Sequence, residues 1–340
     1  MLRRTLIGLI VSTAAIAIAP IASAQTLRLV GSGASFPAPI YAAWFKDFSR
    51  TAGATVDYQS KGSGAGIQDF VNKTVDFAAS DAAMSDEEIA KVDGGVTLLP
   101  MTAGKIVLAY NLPGITEGLK LPRAVYPEIF TGKITRWNDP KIQAANAGLK
   151  LPDTAITVVR RSDSSGTTYV FSRHLSAINA GFKSDIGIGT SPKWPTSDKF
   201  IAAPRNDGVT ATIKQTPGSI GYIEYGFAKL TKAPVAILEN KAGKFVEASA
   251  KSGAAALATA KLEADLRGWL DDPEGAESYP IASFTWMMFY KKQDPKKAEV
   301  LRNLVEYSLT KGQTIADSMG YIPLPREVIA KVRTAAAALK

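Results

Sequence analysis

The stretch Leu27–Phe48, LRLVGSGASFPAPIYAAWFKDF, contains the unit from which the rest of the chain can be read. Leu27 to Val30 is a short apolar run that ends in glycine, as a buried strand does. Ile40, Tyr41, Trp44, Phe45 and Phe48 then recur at the spacing of one helical face. Between them lies Gly31-Ser32-Gly33-Ala34-Ser35, so the order is strand, small hydroxyl-rich turn, helix. The order recurs downstream. Thr55 to Tyr58 predicts a strand, Gly62 to Gly66 opens a second helix with Ile67, Phe70 and Val71 inward, and Val75 to Ala79 predicts another strand. Ser85 with Glu88 makes a capping box for a helix through Val92. Val96 to Leu99 and Ile106 to Tyr110 read as two further strands, and Ile156 to Val159 as a buried strand running into Arg160-Arg161. The segment from Lys241 to Lys261 is turn-rich, then Ala-rich, and reads as a surface hairpin plus a helix. Such alternation predicts an α/β architecture with mostly parallel sheets.

Composition narrows the function. The chain has 340 residues, enough for about two domains, and 46% hydrophobic with 21% charged residues excludes disorder, collagen and coiled coil. It has no cysteine, which removes disulfides, thiolate zinc sites, iron–sulfur clusters and a cysteine nucleophile. The single histidine, His174, removes any metal site that needs two imidazoles. A net charge of +9 suggests an anionic partner. At the N-terminus, Arg3 and Arg4 precede an uncharged apolar stretch from Leu6 to Ala19 and the small-residue pattern Ala22-Ser23-Ala24. Residues 1–24 therefore read as a secretory signal peptide, with the exported protein starting near Gln25 in a bacterial periplasm.

Three times, small hydroxyl residues and glycine stand between a strand and a helix: Gly31 to Ser35, Gly62 to Gly66, and Ser164-Ser165-Gly166-Thr167. There the first helical N–H groups lack intrahelical partners, the helix dipole favours negative charge, and glycine lets a ligand approach the backbone. One such turn is usually only a helix cap. Three at strand-to-helix junctions point to a ligand, since ligands of open α/β sheets gather at the carboxyl ends of strands. The dinucleotide fingerprint is incomplete at each turn, and Gly132-Lys133 is followed by Ile134 rather than the Ser or Thr of a P-loop. A small free anion fits what remains. Arg161 can offer it a charged fork of donors, and Asp163 can orient that fork. Asp81, at the end of its strand, would repel an anion unless that anion carried a proton to donate, a condition that selects protonated phosphate or arsenate over sulfate.

At these residues the sequence resembles the periplasmic phosphate-binding proteins of ATP-driven (ABC-type) phosphate uptake. The similar stretches are Gly31 to Pro39, Tyr58 to Gly66, Val75 to Ala82, Val158 to Thr167, Lys193 to Pro195, Asn206 to Gly208 and Pro217 to Tyr225. The resemblance implies that Ser35 and Phe36 offer backbone donors, that Ser35 and Ser63 offer hydroxyls, and that Asp81 accepts the hydrogen bond from the phosphate proton. It implies that Arg161, held by Asp163, is the cation in contact, and that Ser165, Gly166 and Thr167 bind through amides and hydroxyls. Two positions depart from the family pattern: Ser35 stands where Thr is common, and Ser164 where Gly is common. The implied fold is a two-lobed, hinge-closing α/β protein with ligand in the interdomain cleft. Residues 25–104 and 281–340 would form one lobe and residues 105–280 the other. A monomer that delivers phosphate to membrane permease subunits, with no cofactor and no metal, is the implied function.

Other functions find less in the sequence. A receptor for sulfate, molybdate or arsenate is the nearest alternative, and Asp81 discriminates against the sulfate and molybdate readings. A secreted phosphatase or serine hydrolase would need an activated nucleophile and base. No G-x-S-x-G elbow occurs, Ser308 to Lys311 lacks its companion motifs, and His174 reads as a packed side chain beside Val170 and Phe171. The basic residues are scattered without the aromatic interleaving or motifs of a nucleic-acid site.

Overall fold

The computed structural model describes residues 26–340; the expected signal peptide lies outside the described residues. Among the described residues eleven strands are formed: β1 (Leu27–Gly33), β2 (Ala54–Ser60), β3 (Phe77–Ser80), β4 (Val96–Asn111), β5 (Lys120–Leu121), β6 (Thr157–Arg161), β7 (Phe200–Ala203), β8 (Ser219–Glu224), β9 (Ile237–Glu239), β10 (Phe245–Val246) and β11 (Ala282–Tyr290). Eight of them make one sheet in the order β2-β1-β3-β11-β4-β8-β6-β7, and β10-β9-β5 make a small second sheet.

The outer strands behave as the alternation predicts, with β1 parallel to β2 and β3, and β6 parallel to β7 and β8. The middle of the sheet does not. β11 runs antiparallel to both β3 and β4, and β4 antiparallel to β8, so the expectation of mostly parallel sheets is corrected to a mixed sheet. The two strands expected at Val96 to Leu99 and Ile106 to Tyr110 are one strand of 16 residues. Pro100 does not break it, because the register with β11 shifts between Thr285 and Trp286 opposite this point, and a bulge tolerates a residue without an amide hydrogen.

β4 serves both halves of the sheet. From Val96 to Lys105 it pairs with β11, and from Ile106 to Asn111 with β8. At the change, the Ile106 amide donates to the Ile281 carbonyl at 2.9 Å, where the chain enters β11. Residues 262–272 reach both halves. The Leu266 carbonyl accepts from Trp286 Nε1 and Arg267 donates to the Met84 carbonyl and to Asp86, whereas Asp271 pairs with Arg173 and Asp272 with Arg123. The expected second-lobe range 105–280 thus contains a stretch around Leu266 that packs on the other half.

The helix Ala38–Thr51 buries the face read from the sequence, Ile40, Tyr41, Trp44, Phe45 and Phe48. Each such side chain contributes roughly 1.5–3 kcal/mol by leaving water. Trp44 Nε1 donates to the Gly312 carbonyl at 2.9 Å, which fixes this helix against the C-terminal segment. The turns after β1 and β6, and the residue after β3, consequently emerge at carboxyl ends of strands, facing a common region.

Candidate functional site

The first turn is shaped by Gly33, whose φ is +138° and whose missing β-carbon would stand 2.1 Å from the Ala79 carbonyl oxygen. No residue with a side chain fits there. The chain then turns outward, held by Tyr58 and Tyr321, whose hydroxyls donate to the carbonyls of Ala34 and Phe36 at 2.7 Å each. Among the described residues the amides of Ser35 and Phe36 have no protein acceptor, and both residues are buried.

The second and third turns touch one another. Gly64 donates its amide to the Ser164 carbonyl at 3.0 Å. A β-carbon on Gly62 would meet Asp163, and one on Gly64 would meet the Ser164 side chain. Ser164, the departure from the family pattern, is thus accommodated because Gly64 leaves room for it, and its hydroxyl is spent on Thr190 at 2.9 Å. Ser165 caps the helix Gly166–Ile178, accepting from the Thr168 amide at 3.0 Å. The amides of Gly166 and Thr167 remain among the unpaired donors of the first turn, where the dipole is positive. A β-carbon on Gly166 would lie 2.5 Å from Ser63 Oγ and 2.8 Å from Asp81 Cβ, so this helix end sits directly on the turn that bears Ser63 and on the end of β3.

Arg161 ends β6. Its fork pairs with Asp163 through Nε at 2.8 Å and Nη2 at 2.5 Å, while Nη1 is buried without a partner. Its own amide donates to the Tyr222 hydroxyl at 3.1 Å. Asp163 also accepts from the Arg205 amide at 2.9 Å. Burial pushes the Asp163 carboxyl up, and the Arg161 hydrogen bonds and charge outweigh that, leaving it below the ordinary carboxylate range. Asp163 is therefore an orienting anion, and Arg161 keeps one free arm.

Asp81 is 1% exposed. Its Oδ1 accepts from the Thr285 hydroxyl at 2.8 Å and its Oδ2 from the Thr167 hydroxyl at 3.3 Å. Burial pushes its pKa up to about 7, against the opposing pull of the Thr285 hydrogen bond and the Arg161 charge. The cleft thus holds one carboxylate that readily shares a proton, in a cluster otherwise made of donors.

The structure brings together all eight residues singled out in the sequence, Ser35, Phe36, Ser63, Asp81, Arg161, Ser165, Gly166 and Thr167, with Asp163 behind Arg161. Two further residues join them. Thr285 comes from the apolar strand β11, where nothing in the sequence marks it. Asn206 lies in the stretch Asn206 to Gly208 but carried no role; it is fully buried, and its Nδ2 donates to Ser35 Oγ at 3.0 Å and to Thr167 Oγ1 at 3.1 Å. His174 lies apart from this cluster. Its Nδ1 faces the Asp271 carbonyl, an acceptor only, so Nδ1 carries the hydrogen and Nε2 accepts from the Tyr126 hydroxyl, both at 2.7 Å. Burial lowers its pKa to about 4, leaving it neutral and packed. Among the described residues no three metal-ligating side chains gather.

A family model described as a PBP superfamily domain matches residues 20–311. The chain is 40% identical over 335 residues to the phosphate-binding protein PstS of Pasteurella multocida (strain Pm70), a match covering 97% of this chain and 94% of that protein. To the PstS of Haemophilus influenzae it is 38% identical over 315 residues, covering 92% of this chain and 93% of that one. A solved structure of a high affinity periplasmic phosphate-binding protein bound with phosphate aligns with a TM-score of 0.75 over 91% of this chain and 93% of that chain, at 22% identity, which is a likeness of fold.

Proposed function

The chain belongs to the PBP superfamily and, within it, to the phosphate-binding proteins represented by its PstS relatives, and on that premise we propose that it binds inorganic phosphate in the cleft between Ser35 and Thr167 for delivery to the membrane permease of an ABC-type phosphate importer. It is a binding protein, not an enzyme. The observation that carries the site assignment is the pairing of Asp81 with a cluster of donors. Amides of Ser35, Phe36, Gly166 and Thr167, hydroxyls of Ser35, Ser63 and Ser165, and the free arm of Arg161 suit the oxygens of a tetrahedral anion. The Asp81 carboxylate then accepts the hydrogen that protonated phosphate carries and sulfate lacks.

The same geometry supports a hinge. Residues 25–104 with 281–340 form one lobe and 105–280 the other, apart from the stretch around Leu266 that packs on the first, joined where β4 changes partner between Lys105 and Ile106 and where Ile281 enters β11. Ser35, Ser63 and Asp81 belong to the first lobe, Arg161 and Ser165 to Thr167 to the second, so closing the lobes assembles the site. The protein acts as a periplasmic monomer released from its signal peptide. Calorimetric titration of the processed protein with phosphate and with sulfate above pH 8 tests the reading: tight phosphate binding with much weaker sulfate binding is expected, and equal binding of both overturns it.

A further inference from the structure

We propose that Asn206 is a positioning residue that fixes the polarity of the Ser35 and Thr167 hydroxyls, so that Ser35 donates toward the bound anion and Thr167 toward Asp81; this rests on the phosphate reading above. A serine hydroxyl has one hydrogen and two lone pairs, and it can turn either way. Against a fully ionised oxygen only the donor orientation binds. Something must therefore prevent the Ser35 hydroxyl from donating elsewhere.

The orientation of the Asn206 amide follows from the backbone. The Glu224 amide, which can only donate, lies 2.9 Å from one end of it, so that end is Oδ1 and the other is Nδ2. Nδ2 then directs its two hydrogens at Ser35 Oγ and Thr167 Oγ1, at 3.0 and 3.1 Å. The Asn206 backbone amide adds a second donor to Ser35 Oγ, also at 3.0 Å. Both lone pairs of Ser35 are thereby occupied, and its hydrogen has no protein acceptor among the described residues. That hydroxyl can only donate into the cleft. Thr167 is likewise fixed in polarity: it accepts from Asn206 and donates to Asp81 Oδ2 at 3.3 Å, on the residue proposed to meet the phosphate proton.

The other hydroxyls obey the same rule through backbone donors. Ser165 accepts from the Thr168 amide at 3.0 Å, and Ser63 from the Asp81 amide at 3.4 Å. Ser35 and Thr167 differ in depending on a side chain, and on one that bridges the two lobes. Asn206, in the second lobe, grips Ser35 of the first, so the same contact that accompanies closure also turns the Ser35 hydrogen toward the ligand.

Double-mutant cycles read by phosphate calorimetry test this, with thermal melting as the check on folding. Ser35→Ala in the wild-type background should weaken phosphate binding; in the Asn206→Ala background its additional cost should shrink by about threefold or more, the mark of coupled neighbours. Ser165→Ala, whose hydroxyl is oriented by Thr168, should cost the same in both backgrounds. Asn206→Asp offers acceptors in place of donors, so both hydroxyls turn toward it and Ser35→Ala should then cost less than about twofold, within the error of additivity. If Asn206→Asp fails to fold, the Asn206→Ala cycle decides alone. Costs of Ser35→Ala that are equal with and without Asn206, or Asn206 coupling as strongly to Ser165 as to Ser35, would show a merely structural residue and overturn the inference while leaving phosphate binding intact. A wild-type protein that binds no phosphate would overturn both.

Discussion

The Thr167 hydroxyl stands 3.3 Å from Asp81 Oδ2, so the first turn of the helix Gly166–Ile178 meets the carboxylate that follows β3, a strand from the other half of the chain. This contact joins a donor arm to an acceptor arm across the cleft, and it exists only while the two halves are together. Phosphate should therefore draw the lobes closed. Small-angle scattering should record a smaller radius of gyration on saturation with phosphate, and an unchanged radius would count against the hinge.

Gly166 sets how close the halves can come. A β-carbon there would stand 2.5 Å from Ser63 Oγ and 2.8 Å from the Asp81 amide nitrogen, both across the cleft. Gly166→Ala should therefore obstruct closure, with an overpacking cost of about 1–3 kcal/mol expressed as lost phosphate affinity. Since the clash arises between the lobes, the melting temperature without phosphate should hardly move. A variant with wild-type affinity would mean the helix end does not approach Ser63 in the complex.

Arg161→Ala removes a guanidinium whose buried Nη1 has no protein partner and strands Asp163, which the pair holds below its ordinary pKa. Truncating one member of a buried hydrogen-bonded charge pair costs about 2–5 kcal/mol. Phosphate titration of this variant should show a loss in that range. Unchanged affinity would remove Arg161 from the site.

Much of this was legible in the sequence because the signals are local. The helical face of Ile40 to Phe48, the capping box at Ser85, and the three glycine–serine turns each follow from neighbours within a few residues. What was not legible depends on partners far away. Pro100 and Gly104 look like breaks in β4, and only the bulge opposite Thr285 shows why the strand continues. Strand direction leaves no mark on periodicity, so the antiparallel course of β4 was not legible, and β11 drew no strand reading at all. Thr285 is one polar residue in an apolar strand, and its role rests on facing Asp81 across 204 residues of chain. Asn206 sat in a recognisable stretch, yet its function depends on the Glu224 amide that fixes which end of its side chain donates.

Asp81 should also leave a trace in stability. Its pKa, pushed up to about 7 by burial, exceeds the unfolded value of about 3.9, so the folded protein holds the proton over that interval. The sign follows: the stabilising contribution is full below about pH 4 and is lost as pH rises through about 7. Without phosphate, Asp81→Asn should therefore gain stability relative to wild type between pH 4 and 7, with a constant difference above. Denaturant unfolding at several pH values measures it, and a difference that does not change with pH would place Asp81 in a wetter setting.

The same proton governs selectivity. Protonated Asp81 can donate to sulfate, which ionised Asp81 cannot. Because the protonated fraction grows about tenfold per pH unit above the pKa, sulfate affinity should rise about tenfold per unit as pH falls toward 7 and level off below it. Calorimetry with sulfate from pH 8.5 to 5.5 follows the trend, and sulfate binding independent of pH would contradict it.

The most direct measurement is a competition titration of phosphate against sulfate at pH 8, on the wild-type protein and on Asp81→Asn. Ionised Asp81 and sulfate would set acceptors and negative charges against each other in a buried cleft, and sites built to pair with a substrate hydroxyl reject analogues lacking it by roughly 10⁴ to 10⁵. The wild-type protein should favour phosphate at pH 8, by less than that limit because about a tenth of a carboxyl with a pKa near 7 is still protonated there, and the neutral amide of Asp81→Asn, able to donate, should erase most of the preference. Equal binding of the two anions by the wild-type protein, or undiminished discrimination by the variant, would contradict the role of Asp81 as the residue that selects phosphate.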